Sequence, residues 1–157
     1  MRTSMKQSGF TLLEILVAML VLAIGLLGLA GLMTSSMRNN LSATHRTQAT
    51  WMAYDIVDRM RANRTSAVTG GYVTAMGTAP ACSAAPPAAT LPVRDQDIAA
   101  WKSQLACALP AGNGSIAVDT ATRVATILIQ WDDSRGLQDE GTSPEMATKT
   151  FKVETQL

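Results

Sequence analysis

With 157 residues, 47% of them hydrophobic, and a net charge of +1, the chain has room for one small domain beside any membrane segment. So balanced a charge, with no basic aromatic groove, excludes nucleic acid as an expected partner. A single histidine, no serine nucleophile elbow and no phosphate loop leave an enzyme without positioned groups, and no cofactor is expected.

The chain opens on a short basic leader, with Arg2 and Lys6, ending in Gly9 before the aromatic Phe10. Thr11, Leu12 and Leu13 lead to one acid, Glu14, at the head of an uncharged apolar run from Ile15 to Met33. As a helix this run spans about 28 Å, close to the roughly 30 Å core of a bilayer. It lacks the small-x-small site of a removable secretory signal, so it reads as an anchor. Arg2 and Lys6 favour an N-terminus in the cytoplasm, while Arg38 on the far side opposes them. Glu14 either stays wet at headgroup level or awaits a cation inside an assembly, because a buried carboxylate requires pairing.

Gly9-Phe10-Thr11-Leu12-Leu13-Glu14 and the apolar helix behind it resemble the class III signal of type IV pilins and of pilin-like type II secretion subunits. The resemblance implies three domains of use: a leader over 1–9, a membrane and assembly helix over 10–33, and a periplasmic globular part over 34–157. It implies that prepilin peptidase cuts between Gly9 and Phe10 and methylates the new N-terminus at Phe10. Glu14 would then pair with the ammonium of a neighbouring subunit. The runs Leu20–Leu32 and Asp58–Asn63 are further similar to PilV-type minor pilins, also called type IV pilus modification proteins. That likeness implies the inner membrane and then the pilus fibre as location. Its partners would be other minor pilins, the major pilin and a large tip adhesin. A minor pseudopilin of a type II secretion system shares the same signal. A signal-anchored periplasmic binding module is the reading from another class, and it predicts an uncut N-terminus.

Residues 10 to about 64 read as one long helix. Beyond Met33 the pattern turns amphipathic, with Ala49, Met52, Ala53, Ile56 and Met60 forming a stripe suited to packing on a sheet. His45 falls on the polar stretch and is expected to be solvated. Gly25, Gly28 and Gly31 weaken the apolar half, each by about 1 kcal/mol relative to alanine. In assembled pili the corresponding stretch of the major subunit leaves the helix, and the resemblance implies the same for 23–31.

Residues 65 to 93, with Gly70-Gly71, Gly77, Pro80, Pro86-Pro87 and Pro92, predict a long surface loop carrying a short strand near 72–75. A second helix is predicted over 94–109, capped by Asp95 or Asp97 and burying Ile98, Trp101, Leu105 and Leu109. Cys107 lies on the opposite face. Cys82 and Cys107 both follow the membrane segment, where an oxidising periplasm permits a disulfide between them. Three strands follow, over 115–119, 122–131 and 148–155, rich in β-branched and aromatic residues. In the middle strand Ala125, Ile127, Ile129 and Trp131 alternate with polar or mixed positions. The expected fold is therefore α+β: a long N-terminal helix packed on a small antiparallel sheet, with a short second helix, which is the pilin fold. The acids Asp132, Asp133, Asp139, Glu140 and Glu145 are read as a solvated hairpin loop, because their spacing misses the calcium-loop pattern and Arg135 intrudes. No metal is expected.

Overall fold

The computed structural model describes residues 9–136 and 147–157. A 51-residue helix, α1 (Leu12–Ala62), is followed after Asn63 by one short turn of helix, α2 (Arg64–Val68). Then come α3 (Val93–Ala108), the strands β1 (Asn113–Asp119) and β2 (Val124–Asp132), a 3-10 turn at Ser134–Gly136, and β3 (Thr148–Gln156). The architecture is the α+β, pilin-like one anticipated above. The chain divides into two units, Met1–Met37 and Arg38–Leu157.

In the first unit α1 continues without a break through Gly25, Gly28 and Gly31, where a methyl group would meet nothing. From Leu12 to Thr44 no residue of α1 is buried. By length and composition this helix can cross a membrane.

The second unit is built on an antiparallel sheet of order β1-β2-β3. Register runs from Asn113 opposite Gln130 to Asp119 opposite Val124, and from Val124 opposite Gln156 to Asp132 opposite Thr148. The turn between β1 and β2 is held by Asp119, whose carboxylate accepts from the Ala121 amide at 2.9 Å and the Thr122 hydroxyl at 2.7 Å. Those bonds hold its carboxyl below the usual carboxylate range.

Alternation in β2 decides the core. Ala125, Ile127, Ile129 and Trp131 are buried, while their neighbours in sequence are half-exposed. Against this face lies the α1 stripe Ala49, Ala53, Ile56, Val57 and Met60, joined by Trp101, Leu105 and Leu109. Trp101 has no exposure, and its indole N–H donates to the Met52 carbonyl at 2.9 Å, tying α3 to α1. It approaches β1 so closely that a side chain at Gly114 would collide with the indole ring. Glycine at 114 is thus required by the packing of Trp101.

Three local expectations are corrected. Helix α3 starts at Pro92, without a side-chain cap from Asp95 or Asp97. The segment after α1 is not all surface: it contains α2, and Tyr72 is completely buried. The expected strand near 72–75 is reduced to one bridge, Thr74 with Ile116.

Candidate functional site

The N-terminal site is built by the start of α1. Thr11 is its cap: the Glu14 amide donates to the Thr11 carbonyl at 3.1 Å and to its hydroxyl oxygen at 3.3 Å, and the Ile15 amide reaches the same carbonyl at 3.3 Å. Thr11-Leu12-Leu13-Glu14 has the threonine-x-x-glutamate order of a capping box, a signal the sequence reading overlooked. Threonine suits the start of the helix because its side chain offers a second acceptor to a first-turn amide that has no carbonyl four residues back to bond. Glu14, in the first turn, sits in the positive field of the helix N-terminus, worth about 0.3–1 kcal/mol.

The consequence falls on the two residues before the cap. Gly9 and Phe10 are exposed and non-helical, and among the described residues no hydrogen bond holds their backbone. A methyl group at Gly9 would meet nothing, so nothing among the described residues demands glycine there. The peptide bond between them is open to an external active site. Phe10 and Glu14 lie along one shallow groove with Ile15, Ala18, Met19 and Leu22.

The family model described as the prokaryotic N-terminal methylation motif matches residues 4–30. This chain carries an N-terminal methylation motif. The match supports a type IV pilin- or pseudopilin-like chain, processed by prepilin peptidase and anchored in a membrane through its apolar helix. No curated protein and no solved structure matches the chain.

The structure gives the run Asp58–Asn63 a local role in this pilin-like chain. Met60 enters the core, and Asp58 pairs with Arg61 at 3.4 Å. Arg59 bridges Asp55 at 2.9 Å and Asp97 at 3.3 Å. Burial alone would lower its pKa, but the two carboxylates outweigh it and hold the guanidinium's affinity for its proton above normal. Asn63 donates to the Tyr72 hydroxyl at 3.3 Å, and that hydroxyl donates to Asp97 at 2.7 Å. Asp97 is thus a bridge between α1, α3 and the segment after α2, rather than a helix cap.

Burial, with the bond to Asp97 second, pushes the Tyr72 phenol up to about 12 from 10.0. A folded-state pKa above the unfolded one means that the contribution is whole below pH 10. It is lost as pH rises through about 10 to 12, removing about 2 kcal/mol. In a Tyr54→Phe background, the remaining phenol should ionise near pH 12, and stability should fall across that window. Ionisation at the ordinary pH of an exposed tyrosine would show that Tyr72 is not held by Asp97.

Cys82 and Cys107 form a disulfide, and both are exposed. Beside it the Ser103 hydroxyl donates to the Ser83 carbonyl at 2.7 Å and accepts from the Ser83 amide at 3.2 Å. These bonds fasten the Pro-rich segment to the outer face of α3. In the chain-entropy account, closing 25 residues contributes about 3.5 kcal/mol.

The acidic segment is corrected in part. Asp133 is only 1% exposed, and the Ser42 hydroxyl of α1 donates to it at 2.6 Å. His45, expected in solvent, is 7% exposed and places Nδ1 3.4 Å from the other Asp133 oxygen. Here the carboxylate lies between serine and histidine. A nucleophilic triad has the histidine in the middle, and this order is a different one. Asp139, Glu140 and Glu145 lie outside the described residues. Among the described residues no three His, Cys, Asp or Glu side chains are grouped to hold a metal ion.

Proposed function

We propose that this chain is a minor type IV pilin of the PilV kind, matured by prepilin peptidase and incorporated near the tip of the pilus. The observation that carries the reading is the start of α1. A threonine cap leaves Gly9–Phe10 exposed and unfolded, immediately ahead of an acid and a membrane-length helix with no buried residue up to Thr44. Hydrolysis would break the Gly9–Phe10 amide, leaving a carboxylate on Gly9 and an amine on Phe10. Methyl transfer to that amine from an external methyl donor, with loss of a proton from the nitrogen, would complete maturation. Residues 10–33 first anchor the protein in the inner membrane, with the domain from 34 to 157 in the periplasm, and then pack among the apolar helices of the fibre. Glu14 pairs there with the N-terminal ammonium of a neighbour, since both charges are otherwise isolated in apolar surroundings. The globular part presents partner surfaces to other minor pilins, the major pilin and a tip adhesin, including the disulfide-tethered segment after Cys82. In this role the protein helps to prime pilus assembly.

The deciding measurement is the N-terminal mass of the protein from sheared surface fibres and, separately, from inner membranes. A chain starting at methylated Phe10 in the fibre fraction is the expected result. An intact Met1 confined to membranes would overturn the proposal and leave a signal-anchored module. A processed chain found with secretion pseudopilins instead of pilins would retain maturation and replace the pilus by a pseudopilus.

A further inference from the structure

The polar cluster where β2 ends against α1 has a role of its own. Asp133, the residue after β2, is almost wholly enclosed, and both of its carboxylate oxygens face α1: one receives the Ser42 hydroxyl at 2.6 Å, the other lies 3.4 Å from His45 Nδ1. Its backbone is fixed as well. The Asp133 amide donates to the Ala147 carbonyl at 2.8 Å, and its carbonyl accepts from the Gly136 amide at 2.9 Å. Gly136 is buried, and a methyl group there would come within 2.9 Å of the Ser42 β-carbon and 3.0 Å of Asp133 Oδ1. Glycine at 136 is what allows the turn after β2 to close onto the helix.

The position of this cluster on α1 gives it meaning. His45 is the first buried residue of a helix that begins at Leu12, and Ser42 lies one turn before it. We infer that Ser42, His45 and Asp133 form a latch by which the end of β2 grips α1, so that the support of the helix by the globular unit begins there. The grip is polar where the remainder of the α1 face is apolar. Apolar stripes tolerate sliding of a helix along a sheet, whereas a buried carboxylate satisfied by two particular side chains permits one register. For a helix whose apolar half passes from bilayer to fibre, as proposed above, the latch limits how far a distortion starting near Phe10 travels into the globular unit. This role deepens that reading, but its test does not depend on processing or assembly.

The test is amide hydrogen exchange, by mass spectrometry, of the full chain in detergent micelles, followed in peptides covering residues 39–46. Ser42→Ala discriminates by sign. Alanine is the better helix former, so a helix without a latch would exchange more slowly or unchanged. With the latch lost, exchange there should quicken about tenfold, equivalent to about 1.4 kcal/mol. Gly136→Ala should do the same by wedging the turn away, with the helix sequence untouched. Asp133→Ala should quicken it at least as much. The double variant Ser42→Ala with Asp133→Ala should be no faster than Asp133→Ala alone, since both remove one bond. Should Asp133→Ala fail to fold, the Ser42 and Gly136 variants decide by themselves. Slower or unchanged exchange in Ser42→Ala, or effects of Ser42 and Asp133 that simply multiply, would overturn the latch.

Discussion

The Glu14→Lys chain should enter the membrane normally, yet its share of the sheared fibre fraction should fall by about 100-fold. The proposed pairing sets Glu14 against a neighbour's N-terminal ammonium. Lysine replaces that attraction by two like charges in an apolar bundle. A charge so placed costs about 2.5–3.5 kcal/mol, and each 1.4 kcal/mol is a factor of ten. Glu14→Gln separates two functions of the residue. Glutamine can occupy the third position of a capping box as glutamate does, so the helix should still begin at Leu12 while the charge is lost. It should reduce incorporation less than lysine. Quantifying the peptide that begins at Phe10 in fibre and membrane fractions measures both steps. Fibres containing the lysine variant at the normal level would eliminate the pairing.

The second large effect concerns stability. Trp101→Ala should destabilise the globular unit by about 3–5 kcal/mol, a sizeable part of the roughly 5–15 kcal/mol that holds a typical domain folded. Trp101 is fully buried, fills the space that Gly114 leaves open, and donates its indole N–H to the Met52 carbonyl. Alanine would leave a cavity and remove that hydrogen bond. Trp101→Phe should cost less, since it keeps most of the ring and loses only the hydrogen bond and part of the volume. Trp51, which is 69% exposed on the opposite face of α1, provides the contrast: Trp51→Ala should change stability by no more than about 0.5 kcal/mol. Denaturant unfolding of the detergent-solubilised chain, followed by circular dichroism, compares them. Equal effects at 51 and 101 would contradict the packing of α3 described above.

The pattern of what was readable from residues alone has a physical origin. The long helix, the stripe from Ala49 to Met60, α3 with its buried Trp101 and Leu105, and the alternation of β2 were all legible, because apolar burial repeats with the period of the element that carries it. The capping order of Thr11 and Glu14 was equally present in the sequence and was overlooked beside the louder apolar run that follows. Polar burial behaves differently. His45 and Ser42 look like ordinary solvent-facing positions, and Asp133 like one more acid in a charged loop. His45 and Asp133 become buried, and Ser42 half-buried, only because partners 88 and 91 positions apart in the chain arrive at the same place. Asp97 likewise looked like a cap for α3, and Tyr72 like part of a surface segment. The phenol of Tyr72 and the guanidinium of Arg59 take the Asp97 carboxylate instead.

By itself the sequence determined the membrane-length helix, the acid and the glycine at its head, and the alternation that turns one face of the sheet inward. These are properties of neighbouring residues along one chain, and hydrophobic transfer and local hydrogen bonding are enough to impose them. Tertiary structure decided where the globular unit takes hold of α1, which carboxylates are enclosed, and why positions 114 and 136 must be glycine. Those depend on the meeting of segments far apart in the chain, where close packing and the cost of an unpaired buried charge leave one arrangement.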